Sequence, residues 1–91
     1  MKNQLPGGFS QFNCKIDEEA KASFADAFEH IVGVDYQPIA VATQVVAGLN
    51  YAFFCNATVV YPGAVSYPAI VHIFRSLDGK SAITNIQRVA Y

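Results

Sequence analysis

The sequence predicts an α+β fold of two layers, one N-terminal helix packed across a four-stranded antiparallel sheet, with an extended N-terminal arm beside it. Three observations carry this. Apolar residues recur at helical spacing in one segment only, directly after Asp17. From Tyr36 onward the period changes to two, in runs rich in β-branched and aromatic residues. Short turn signals separate those runs, and short connections force neighbouring strands to be antiparallel.

Residues 1–13 read as an arm, because Pro6-Gly7-Gly8 cannot propagate a helix and nothing there alternates. Asp17 or a neighbour is placed to cap the helix, with Glu18 and Glu19 in its first turn. Ala20, Phe24, Ala27, Phe28 and Ile31 then form one apolar face, His30 falls in the last turn and Gly33 supplies the stop. Strands are expected at Tyr36–Thr43, Leu49–Val60, Ala69–Ser76 and Ala82–Val89. Between them lie the Gly48 region, the segment from Tyr61-Pro62-Gly63 to Tyr67-Pro68, and Leu77-Asp78-Gly79-Lys80, where Asp-Gly marks a hairpin. The sheet's apolar face has one available cover, the Phe24/Phe28/Ile31 stripe.

The 91 residues suffice for a single domain spanning 1–91. A chain that is 53% hydrophobic and 14% charged packs rather than staying disordered. Net charge is −1, and Lys2, Lys15, Lys21, Arg75, Lys80 and Arg88 are scattered, so no phosphate-binding stripe exists and nucleic acid is not an expected partner. No Asp, Glu, Lys or Arg occurs between Tyr36 and Phe74. Ile39 to Tyr61 has the length of a membrane span, but Thr43, Gln44, Asn50, Asn56 and Thr58 interrupt it and its breakers are spaced as hairpin turns. Strands buried on one face account for it, and no membrane partner is expected. The first residues lack the apolar region of a secretory signal, which gives the expectation of a cytoplasmic chain or, as the alternative, of a processed secreted one.

Cys14, His30, Cys55 and His72 stand 16, 25 and 17 residues apart, without the close pairs that metal sites use. Two free thiols, no metal and no cofactor are expected. His30 complements a helix terminus, and His72, between Val71 and Ile73, lies on one sheet face. Asp17, Glu18, Glu19, Asp26 and Glu29 read as the solvated helix face rather than as catalytic acids, and the chain is read as a non-enzyme. Asn56-Ala57-Thr58 falls within a strand, where a glycosylation pattern arises by chance.

Residues 44–51, Gln-Val-Val-Ala-Gly-Leu-Asn-Tyr, resemble the first inhibitory hairpin of the cystatins, whose signature is Gln-x-Val-x-Gly. Pro6-Gly7-Gly8-Phe9-Ser10 resembles the glycine-bearing arm of the stefin (type 1 cystatin) branch, and Phe74-Arg75-Ser76-Leu77-Asp78-Gly79 its second hairpin. The three occur in the family's order, although residues 9–43 agree in pattern more than in identity. The chain also lacks the paired C-terminal cysteines of secreted cystatins, as stefins do. It departs at one place: stefins usually carry Leu-Pro at the second hairpin and secreted cystatins Pro-Trp, whereas here Asp78 follows Leu77.

The resemblance implies a cystatin-like fold and a reversible, tight-binding inhibitor of papain-like cysteine proteases of the cathepsin class. The arm and both hairpins would form a wedge, with Gly7, Gly8, Gln44, Val45, Val46, Ala47, Gly48, Leu77 and Asp78 as the protease-binding residues. Glycine lets the arm approach closely, Val45 and Val46 give dry contact, and Gln44 and Asn50 hold the turn through their side chains. An interface of about 1,600 Å² reaches nanomolar affinity when it is preformed. It also implies a monomer that converts to a domain-swapped dimer, with strain in the β-branched Val45-Val46 turn as the expected drive. The alternative is a non-inhibitory interaction module on the same scaffold; an enzyme with a pocket on the sheet ranks third.

Overall fold

A computed structural model describes residues 8–60, 63 and 65–89. One helix, α1 (Glu18–Ala27), precedes four strands, β1 (Val34–Val46), β2 (Gly48–Val59), β3 (Ser66–Arg75) and β4 (Ser81–Arg88). The strands lie in the order β1-β2-β3-β4, every neighbour antiparallel, and the helix packs on one face. The α+β arrangement read from the sequence is the one observed.

Asp17 caps α1: its backbone is extended, and its carboxylate accepts the Ala20 N–H at 2.8 Å. The helix is shorter than its periodicity suggests. It ends at Ala27 with Phe28 as C-cap, and the next turn tightens through Glu29 N–H to Asp26 O and Ile31 N–H to Phe28 O. The reason lies in Phe28, whose ring packs 4.5 Å from Phe24 and 5.2 Å from Tyr36, so the backbone must leave the helical path there to feed β1. Ile31 therefore stands outside the stripe and is 45% exposed, and His30 and Glu29 belong to the turn. Gly33, at φ +96°, serves the entry to β1, and its carbonyl accepts the Val60 N–H.

Alternation along β2 sends Tyr51, Phe53 and Cys55 towards the helix, where they join Ala20, Val41, Val71 and Ile73 in the core. The Phe24 ring meets Phe53 edge-on at 4.9 Å, so one aromatic row runs from Phe53 through Phe24 and Phe28 to Tyr36. Ser23 is also buried, a polar position that the apolar periodicity did not reveal. The opposite sheet face carries the row Ala42, Ala52 and His72 on β1, β2 and β3. Phe9 enters from the β1 edge and its ring meets His72 edge-on at 6.1 Å, reaching across the two low alanine side chains.

Strand limits also differ from the expectation. β1 continues through Gln44, Val45 and Val46, because Val46 pairs with Gly48 and Ala47 alone forms the tip. Among the described residues only glycines have positive φ, so Val45 and Val46 keep the extended backbone they prefer and the expected strain does not sit on them. β3 begins at Ser66 and takes in Tyr67 and Pro68, since Tyr67 pairs with Ala57 and lies under the Arg88 guanidinium, 4.4 Å from its centroid. Tyr61 and Pro62 lie outside the described residues. Pro38, lacking an N–H, adjoins a bulge that leaves Ile39 unpaired, and a second bulge falls at Thr84. No helix among the described residues is long and apolar enough to cross a membrane; the uncharged run is mostly β1, β2 and β3.

Cys14 and Cys55 are both free. Burial removes the Cys55 thiolate from water and pushes the thiol up to about 12, whereas Cys14 is exposed. A thiol-disulfide reagent at pH 8 should therefore titrate one group rapidly in the folded chain and two in denaturant. Two equally fast groups in the folded chain would contradict the burial of Cys55.

Candidate functional site

In an antiparallel meander the β1–β2 and β3–β4 turns must emerge at the same end. The register places Leu49 opposite Arg75, so the first hairpin tip stands directly beside the start of the second. The arm joins them. Asn13 bridges Val41 through two backbone hydrogen bonds of 2.9 Å, and Ser10 N–H donates to Thr43 O at 2.7 Å while its Oγ accepts the Thr43 N–H. Because this pairing is antiparallel, Phe9 and Gly8 lead from Ser10 towards the β1 tip, which brings exposed Gly8 to the same end. Gly7 lies outside the described residues. Of the predicted site residues, Gly8, Gln44–Gly48, Leu77 and Asp78 are thus brought together.

The first hairpin is fixed at its base and at its tip. Asn50 Nδ2 donates to Gln44 Oε1 at 2.8 Å, across a directly paired position, which is the bond expected of these two side chains. At the tip Gly48 has φ +120°, and a Cβ there would lie 2.4 Å from Arg75 O and 3.1 Å from the Phe74 ring. Only glycine lets the first hairpin lie this close to β3. Beyond that contact Ala47 is exposed, Val45 is 73% exposed and Val46 41%.

The second hairpin presents Leu77, which is 84% exposed. Around it the loop closes on itself: Gly79 N–H donates to Ser76 O and Ser76 N–H to Lys80 O, both at 2.9 Å. The Asp78 carboxylate turns inwards, accepting from the Ser76 hydroxyl and from the Lys80 N–H. Those donors hold Asp78 below the usual carboxylate range, the Ser76 bond contributing most. Asp26 on the helix accepts the Ser81 N–H at 3.0 Å and so ties α1 to the start of β4.

Between the hairpins lies a cleft of about 230 Å³ lined by Glu19, Gly48, Leu49, Arg75, Ser76 and Leu77. Arg75 forms its floor. The guanidinium donates to Glu19 Oε2 at 3.3 Å and has the Tyr51 hydroxyl beside it, and these two neighbours, Tyr51 first, hold the arginine above its already high value. Sequence reasoning did not pick out this bracket, because Glu19 and Arg75 are 56 residues apart and nothing local links them. The Phe9–His72 contact was missed for the same reason.

No group of three His, Cys, Asp or Glu side chains among the described residues is arranged to hold a metal ion. Cys55 is in the core and His72 faces Phe9, so neither approaches the hairpin end as a nucleophile or base. What the end offers is shape: exposed small and apolar side chains on loops closed by their own hydrogen bonds, with the buried Ser81 hydroxyl at the start of β4 left without a partner among the described residues. Compared with protein-family models and with curated proteins, the chain matches none.

Gly33 and Gly48 both need a positive φ, but nothing lies within 4 Å of a Cβ at Gly33. Gly33→Ala should cost the backbone term alone, about 1–2 kcal/mol. Gly48→Ala adds overpacking of about 1–3 kcal/mol against Arg75 O. Urea unfolding of the two variants measures the difference, and equal losses would show that the tip relaxes freely.

Proposed function

We propose that the protein is a reversible, non-covalent inhibitor of papain-like cysteine proteases of the cathepsin class, built on a cystatin-like fold closest to the stefin branch. The observation that supports it is the convergence of Gly8, the Gln44–Gly48 hairpin and Leu77 at one end of the sheet. Three segments that resemble the family's contact elements, far apart in sequence, form one edge. Such an edge occupies a cleft without offering a scissile bond to the catalytic thiol, so inhibition needs no reaction.

The energetics favour a docked wedge. Val45, Val46 and Leu77 are exposed already in the free protein, so their burial is gained on binding at roughly 25 cal/mol per Å². The Gln44–Asn50 bond and the closed second hairpin restrict both loops beforehand, which lowers the ordering cost. Inhibition is expected to be competitive and stoichiometric. Titration of papain with the intact chain at micromolar concentration tests this directly, and unchanged activity overturns the reading for that class.

A second reading, a non-inhibitory interaction module, is favoured by the opposite end. There Val32 is 90% exposed and Val60 and Val65 are each 66% exposed. Gly33 O accepts the Val60 N–H, which keeps Val32 and Val60 neighbours. A partner held at that end would still bind Gly48→Arg, whereas a protease held by the wedge would not.

The same hairpin is the proposed hinge for assembly. β1 and β2 already run to Val46 and from Gly48, so straightening Ala47 and Gly48 alone would merge them into one long strand. The arm, α1 and β1 would then pair with a second copy, and the monomer would give a domain-swapped dimer without the wedge. Size-exclusion chromatography of a partially denatured sample, assayed fraction by fraction against papain, should show activity in the monomer and none in the dimer. A dimer as inhibitory as the monomer would mean that the chain exchanges elsewhere.

A further inference from the structure

The second hairpin poses a question that the resemblance leaves open: what Asp78 does where related loops carry an imino acid. Its carboxylate does not face outwards with Leu77. It accepts from the Ser76 hydroxyl, one residue before Leu77, and from the Lys80 N–H, two residues after Asp78, while Ser76 Oγ also lies 3.2 Å from Lys80 O. With Ser76 N–H on Lys80 O and Gly79 N–H on Ser76 O, every one of these contacts joins residues 76, 78, 79 and 80. None uses Leu77. The loop is closed around its base, and its one large apolar side chain is left 84% exposed.

We infer that Asp78 is a positioning residue of the inhibitory wedge: it collars residues 76–80 from within and thereby holds Leu77 outwards, and does not itself contact the protease. This rests on the inhibitor reading above. A proline stiffens a turn by fixing φ, whereas Asp78 achieves the same restriction with hydrogen bonds, in the manner of an Asx turn. The leucine then enters an apolar pocket with little rotational freedom left to lose.

The collar is charge-dependent, and its surroundings determine how. Lys80 belongs to the loop, Arg75 ends β3, and Asp26 on α1 lines the same cleft of about 350 Å³ as Asp78. Asp26 is already engaged with the Ser81 N–H, and Arg75 with Glu19. The donors that reach the Asp78 carboxylate are the Ser76 hydroxyl, the Lys80 N–H and, least, its own backbone N–H, and they lower its proton affinity. A depressed carboxylate gives order that is fully present above the ordinary range, about pH 4, and that is lost as pH falls through its own lower value. The loop therefore keeps its shape across the mildly acidic range and opens only below about pH 4.

The test combines Leu77→Ala, Asp78→Ala, the double variant and Asp78→Asn in the full chain. Backbone order parameters of residues 76–80 should fall in Asp78→Ala and in the original chain at low pH. Asp78→Asn keeps an acceptor oxygen, so its order should be largely retained and insensitive to pH in that range. Against papain, Leu77→Ala should weaken binding by roughly 10–100-fold, the scale of burying one leucine. Asp78→Ala should weaken it less, and should add almost nothing once Leu77 is already alanine. Additive losses would show that Asp78 contacts the protease itself, and unchanged order in Asp78→Ala would show that it collars nothing; either overturns the inference. If the unmodified chain fails to inhibit papain, the inhibitor reading falls and the wedge role falls with it. The order parameters still judge the collar independently, so the two failures are distinguishable.

Discussion

The close approach of Gly48 to the Arg75 carbonyl governs the geometry of the hairpin end. A side chain at that position would fill the gap with an atom 2.4 Å from the oxygen, and the first hairpin would have to tilt away from β3. With hydrogen there instead, the Val46–Gly48 pair and the Leu49–Arg75 pair are kept together, and two turns from different hairpins share one edge. Arg75 then serves twice. Its carbonyl meets the first tip, and its guanidinium reaches Tyr51 and Glu19, linking the sheet to the first turn of the helix.

The charge-free stretch from Tyr36 to Phe74 becomes intelligible from the two faces it must cover. On the helix side, Tyr51, Phe53 and Cys55 meet Ala20 and Phe24, and no charge could be accommodated there without a partner. The other face would ordinarily be wet, yet Ala42 and Ala52 are buried. Their short side chains leave room for Phe9 to cross towards His72, so the arm shields the face that the helix cannot reach. The backbone bonds of Ser10 and Asn13 to β1 anchor the same arm along the sheet edge, which would otherwise expose unpaired N–H and C=O groups.

Four polar side chains at the hairpin end are engaged inside the protein, while Val45, Val46 and Leu77 face out and the buried Ser81 hydroxyl has no partner among the described residues. Gln44 is bonded to Asn50, Glu19 to Arg75, Asp26 to the Ser81 amide and Asp78 to its own loop. Such an arrangement suits association through shape, since docking need not strip water from the carboxylates that are already bonded within the protein. It also makes the two hairpins unlike each other. In the first, strand pairing continues to the tip; in the second, a carboxylate bonds across the base.

Much of this architecture was legible in the linear order of residues. Helical spacing after Asp17, alternation after Tyr36 and Asp-Gly at 78–79 are local signals, and local backbone chemistry converts them into a cap, strands and a hairpin. Glycine at position 48 was equally legible as a turn residue. What it approaches was not, since the neighbour that forbids a Cβ is a carbonyl 27 residues away. The helix end, the extension of β1 to Val46, the Glu19–Arg75–Tyr51 bracket and the reach of Phe9 to His72 were decided by tertiary structure. Each depends on packing between segments that become neighbours only when the sheet has formed: Phe28 leaves the helix to stack on Tyr36, and Arg75 finds Glu19 across 56 residues. Short-range sequence pattern determines which conformation a segment prefers, while the free energy of these contacts determines where that preference stops.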